Sequence, residues 1–181
     1  MKEVLGINYL CVYAMLEMAL RDIGEREWDQ IRLANQFGVT LLPGNTIKGV
    51  INVRYCTDER ECGAHINIED LNTFFSMKKI PLKALFLKAN PYACYSEAEE
   101  DDTRNYIIYL YSYGSLNEDR SKLNVGHASM RVDNIKDGEV SIYDPGPLKA
   151  GIKVVKLNRL YDAIDDCKGG ILILERIFDN E

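Results

Sequence analysis

Apolar positions recur at helical spacing through the first part of the chain. From Asn8 to Ile23, Leu10, Ala14 and Met18 stand four apart, with Met15 and Leu20 beside them, and this spacing predicts a buried first helix. Gly24 follows at the place where a helix commonly ends in a left-handed residue. Trp28, Ile31, Leu33 or Ala34, and Phe37 predict a second helix over Glu27 to Phe37, closed by Gly38 ahead of the Pro43-Gly44 turn. Asn67, followed by Glu69 and Asp70, has the form of an N-cap with an acidic first turn, starting a third helix that runs through Phe74 and Phe75 and ends near Met77. Residues 44–63 are mixed in pattern and predict no definite element.

Beyond Pro81 the pattern changes. Leu82, Ala84, Phe86 and Leu87 suit an extended segment, and Asn105 to Tyr113, rich in aromatic and β-branched side chains, predicts a central strand. His127 to Asp133 and Glu139 to Tyr143 read as two strands joined through Asp137-Gly138, a hairpin. A short helix is expected over Lys156 to Asp165 and a final buried strand over Gly170 to Arg176. Helices in the first half and antiparallel strands in the second indicate an α+β fold, with the N-terminal helices packed on the sheet.

At 181 residues, with 46% hydrophobic and 28% charged, the chain has the size and composition of one globular domain spanning 1–181. A net charge of −6 and the lack of a strong Lys/Arg cluster argue against nucleic acid as a partner. The start, Met1 to Gly6, lacks the apolar segment of a secretory signal, and no run has the roughly 18 apolar residues of a membrane helix, so no membrane insertion is expected. Five cysteines (Cys11, Cys56, Cys62, Cys94 and Cys167) without a secretory signal imply reduced thiols and a cytoplasmic location.

Cys11 falls in the first turn of the first helix, where unpaired N–H groups and the helix dipole favour a thiolate. Of the two histidines, His127 follows Gly126 at the start of a strand, and the hairpin returns the chain to Asp144. A connection centred near Ile135 and Lys136 sets residues 127 and 144 opposite each other. One centred on Asp137-Gly138 offsets them by about four positions, which a bulge can reconcile. A carboxylate beside an imidazole fixes its tautomer and stabilises the imidazolium, the arrangement a cysteine nucleophile needs in its base.

The segments Asn8-Tyr9-Leu10-Cys11-Val12-Tyr13-Ala14-Met15-Leu16-Glu17, Gly126-His127-Ala128-Ser129-Met130 and Ile142-Tyr143-Asp144-Pro145-Gly146 together resemble the papain-like cysteine peptidase superfamily. The branch they most resemble comprises the peptidases that trim leader peptides from bacteriocins, with their stand-alone relatives. The resemblance implies a papain-like fold, a Cys11 nucleophile, a His127 base and an Asp144 orienter. Those peptidases usually carry an oxyanion-stabilising glutamine upstream of the cysteine, where Leu5 stands here. Asn8 is the nearest amide, with a backbone N–H of Cys11 as another donor. Val12 replaces the small residue that commonly follows the cysteine, implying a narrower cleft.

The expected function is a cysteine hydrolase cleaving a peptide or amide bond through an acyl-enzyme. The alternatives are transfer of an acyl group from a thioester to an amine through Cys11, as in a related branch of the butirosin-biosynthesis type, or an inactive relative that binds peptides. The expected partner is therefore a peptide or acyl-thioester substrate, with no cofactor. Cys56, Cys62 and His65, with Cys94 more distant, lack the tight paired spacing of a zinc site, so no metal is expected. Cys94, a rival nucleophile, has no neighbouring histidine in sequence, Lys48-Gly49 lacks the context of a phosphate loop, and the acidic stretch Ser96 to Arg104 reads as a solvated loop.

Overall fold

The computed structural model describes residues 10–38, 67–88, 105–123, 125–146 and 150–178. The fold is α+β. Helix α1 spans Cys11–Asp22, within one residue of the expected span at each end of the described stretch, and Gly24 (φ 95°) sits just past its end as the left-handed residue. Helix α2 (Gln30–Gln36) begins later than expected because Asp29 takes the N-cap, its side chain accepting the Arg32 N–H at 2.8 Å. Helix α3 (Ile68–Met77) starts at Asn67, which accepts the Glu69 N–H at 2.8 Å, as its sequence implies.

The strands are β1 (Leu82–Lys88), β2 (Asn105–Ser112), β3 (Gly126–Arg131), β4 (Glu139–Asp144), β5 (Gly151–Lys156) and β6 (Gly170–Arg176). The expected strand through Tyr113 stops one residue earlier, because Ser112 caps a short helix α4 (Tyr113–Asn117) through the Ser115 N–H. Helix α5 (Leu157–Asp166) lies close to its expected place. Strand β5, by contrast, has no counterpart among the expected elements, and its last residue, Lys156, stands where the following helix is expected to begin. All pairings are antiparallel, in the order β1-β6-β2-β3-β4-β5, so the last strand of the chain is inserted between the first two.

The sheet separates two cores. On one face, Leu10, Tyr13, Met15, Leu16, Leu20, Leu33, Phe74 and Phe75 from the N-terminal helices pack against Ile108, Ala128, Met130, Tyr143 and Leu172. On the other, Leu160, Ala163 and Ile164 of α5 pack against Ile107, Tyr109, Tyr111, Ile142, Ile171 and Ile173. Strand alternation explains the division, since successive side chains enter opposite cores. Burying such side chains contributes roughly 1.5–3 kcal/mol each, opposed by the entropy of ordering the chain.

The β3–β4 hairpin turns at Asp137 (φ 53°) and Gly138 (φ 74°), the two left-handed residues of a tight hairpin turn. Lys136 and Glu139 exchange backbone hydrogen bonds of 2.9 Å across it. The ladder resumes with the Val132 N–H on the Ser141 carbonyl and Arg131 opposite Ile142. Between these points the outgoing arm uses four steps where the return uses two. This bulge removes half of the offset that the turn imposes on residues 127 and 144.

Among the described residues no helix is long and apolar enough to cross a membrane.

Candidate functional site

Cys11 is the first residue of α1 and is partly buried against the core beneath the helix. Leu10, at the N-cap, offers no side-chain acceptor, and the first turn carries no acidic residue. The opening N–H groups of the helix are thus left without a side-chain cap on the side of the thiol. Val12, expected to narrow a cleft, belongs to the core.

His127 is the second residue of β3. Continuing the β3–β4 ladder sets Ser129 opposite Asp144 and makes His127 the diagonal neighbour of Asp144 on the same face. The side chains meet: the His127 Nε2–H donates to Asp144 Oδ1 at 2.8 Å. With Nε2 engaged, Nδ1 remains for the Cys11 thiol, whose side chain is within hydrogen-bonding reach of the imidazole. Alternation puts His127 and Cys11 on different faces of the sheet, and they meet because each stands at the end of its element.

The remaining surroundings come from several elements. Tyr111 of β2 and Tyr113 of α4 set their rings nearly perpendicular to the imidazole, with centroids 5.6 and 5.2 Å away. The Tyr111 hydroxyl shares a 2.8 Å hydrogen bond with Ser129 Oγ. Lys153 of β5 donates to Asp144 Oδ2, and the Gly146 N–H donates to Oδ1 at 3.0 Å. The Lys153 and Lys122 ammonium groups lie 5.8 and 5.4 Å from the Tyr113 ring centroid.

These contacts set the charge states. Burial works against the charge on His127, but the hydrogen bonds to Asp144 and Cys11 and the negative charge they carry overcome it, raising the imidazole to about 9. Burial likewise opposes ionisation of Asp144, yet His127, Lys153 and the Gly146 N–H hold its carboxyl well below the ordinary carboxylate range. Near neutral pH the site therefore holds an imidazolium against a carboxylate, with the Cys11 sulfur on the ring's other side. Such an arrangement can deliver a nucleophilic sulfur and a proton to the same bond.

Three of the residues selected from sequence, Cys11, His127 and Asp144, are thus brought together. Asn8, the weaker oxyanion candidate, lies outside the described residues with Leu5, as do Cys56, Cys62, His65 and Cys94. Cys167, the other described free cysteine, hydrogen-bonds the Ile164 carbonyl at 3.5 Å. Sequence reasoning missed Lys153, Tyr111 and Tyr113. Tyr111 and Tyr113 were visible only as strand-forming aromatics, whereas Lys153 had a signal of sorts in the alternation of Ile152-Lys153-Val154. No protein-family model matches the chain, and no curated protein matches it.

Proposed function

We propose that this protein is a papain-like cysteine hydrolase that cleaves a peptide or amide bond through an acyl-enzyme on Cys11. The observation that carries this reading is the His127 imidazole held between the Asp144 carboxylate at 2.8 Å and the Cys11 thiol. The protonated ring favours the thiolate of a neighbouring cysteine. Cys11 Sγ attacks the carbonyl carbon to form a C–S bond, and the C–N bond breaks as His127 gives its proton to the departing amine. Water then attacks the thioester, losing a proton to His127, and the C–S bond breaks to release the acid and restore the thiolate–imidazolium pair. Asp144 keeps the ring oriented and balances its charge throughout. Uncapped N–H groups at the start of α1 are suited to stabilising the oxyanion.

Acyl transfer to an amine shares the first half of this sequence and differs only in the acceptor. The test offers an amide and a thioester with and without an added amine, and identifies the products by mass. Hydrolysis dependent on Cys11 and unchanged by the amine supports the hydrolase. Amide product formed in preference to acid points instead to transfer. Site-resolved alkylation of Cys11 by iodoacetamide that is equally fast in His127→Ala would remove the basis of both.

A further inference from the structure

The sequence pattern of β5 and its actual orientation disagree. Ile152 and Val154 are 58% and 62% exposed, while Lys153 and Val155 turn toward the face that carries Ile142 and Asp144. A slip of one residue would exchange these sets and carry Lys153 away from the carboxylate. The observed register pairs Ile142 with Lys153 and Asp144 with Gly151, making Lys153 the diagonal neighbour of Asp144. His127, Asp144 and Lys153 consequently form an oblique line across three adjacent strands, each on the same face and each two positions from its direct partner.

We propose that Lys153 is a positioning residue of the Cys11 site: by engaging Asp144 Oδ2 it turns Oδ1 toward His127 and shares the carboxylate's charge with the imidazole. This assignment rests on the hydrolase reading for its purpose, but not for its measurement. Both carboxylate oxygens are occupied, Oδ1 by His127 and the Gly146 N–H and Oδ2 by Lys153, so the group has no freedom to rotate while the three contacts persist. Lys153 is itself fixed from the side by the Tyr113 ring. A second cation here restrains the hold of Asp144 on the imidazolium proton, a proton that His127 must release in every cycle.

Facing His127 and Asp144 are Cys11 from α1, Tyr111 from β2, Tyr113 from α4 and Lys153 from β5, with Lys122 reaching Tyr113 from the 120–122 turn. Among these, Lys153 is the cation bonded directly to Asp144. Its removal should therefore raise the His127 titration, by about one pH unit given the Coulomb interaction across one carboxylate.

The experiment follows the His127 ring resonances of the full-length protein against pH, using His65→Gln to assign the two histidines. Alongside, the alkylation rate of Cys11 by iodoacetamide is measured across pH and located by peptide mass. Lys153→Met and Lys153→Gln are each expected to raise the His127 midpoint, while Lys153→Arg keeps it near the wild-type value. The upper limb of the Cys11 alkylation profile, where it follows His127, moves in the same direction. A folded Lys153→Met or Lys153→Gln protein whose His127 midpoint is unchanged overturns the assignment, as does a Lys153→Arg shift as large as theirs. The histidine titration is read without any reaction at Cys11. Indifference of Cys11 alkylation to His127→Ala therefore sinks the hydrolase reading alone, and an unmoved histidine sinks the Lys153 role alone.

Discussion

Glu17 and Asp144 are two carboxylates buried to nearly the same degree, 2% and 1% exposed, and each has a basic side chain against it. They respond in opposite directions. Burial raises Glu17, outweighing the Gln30 N–H at 3.0 Å, the partly exposed Arg21 and the Gln30 side chain, while nearby Asp29 adds repulsion. Asp144 is depressed despite burial, because His127, Lys153 and the Gly146 N–H all bond its ionised form. The difference teaches that burial alone does not set the charge of an interior carboxylate. The number and charge of the donors aimed at it decide the outcome. Glu17 joins α1 to the N-terminus of α2 through Gln30. Asp144 is surrounded by donors that each favour its ionised form.

The largest expected effect separates the two by activity. Asp144→Asn preserves shape but removes charge, and should lower turnover of an amide or thioester substrate by about 10⁴-fold, as loss of the carboxylate does in a Ser-His-Asp triad. Glu17→Gln, the same exchange in the other setting, should leave turnover essentially unchanged once folding is confirmed. Equal losses in steady-state assays of the two variants would erase the distinction.

Next in size is the pH dependence of stability. A histidine raised from 6.5 to about 9 on folding contributes stability that is complete below about pH 6.5 and lost as pH rises through about 9. The loss should be about 3 kcal/mol in urea unfolding. It should shrink strongly in Asp144→Asn, which removes a principal cause of the shift. The Asp144 contribution has the reverse sense, present above its ordinary carboxylate range and lost as pH falls below it.

Glu17→Ala should cost about 1–3 kcal/mol, because it strands the buried Gln30 N–H. Glu17→Gln has a sharper signature. A raised carboxyl makes ionisation costly in the folded state, so the glutamine variant should gain on the wild type as pH rises from 4.5 through the Glu17 titration. A relative stability that is flat across that range would show that the two carboxylates do not differ as described.

The smallest effect concerns Asp29. Asparagine caps a helix about as well as aspartate, so Asp29→Asn should change stability by less than about 0.5 kcal/mol. It should nonetheless lower the Glu17 titration by removing a like charge, which carboxyl-resolved NMR can follow.

Local elements were legible because they depend on neighbouring residues. Asn67 announces α3 through its own hydrogen bond, Gly24 ends α1 in the conformation that glycine tolerates best, and the aromatic and β-branched run after Asn105 gives β2. Where a cap competed with the apolar pattern, the cap won. Asp29 delays α2, and Ser112 ends β2 one residue early. Of the site, Cys11 at a helix start and the His127 and Asp144 hairpin could be chosen from chain order and residue type. The hairpin was readable only to within a bulge, because a tight turn at Asp137-Gly138 does not specify how many residues each arm uses before its ladder begins.

What the sequence by itself determined, then, is the α+β division, most of the elements and the three side chains placed at element ends. Tertiary structure alone decided that β6 lies between β1 and β2, that Cys11 comes within reach of His127, and that Lys153 rather than Ile152 or Val154 turns toward Asp144. The physical reason is range. Caps, turns and periodicity act over a few residues, whereas strand order, register and the pairing of buried charges are settled by contacts among distant segments that must all be satisfied together.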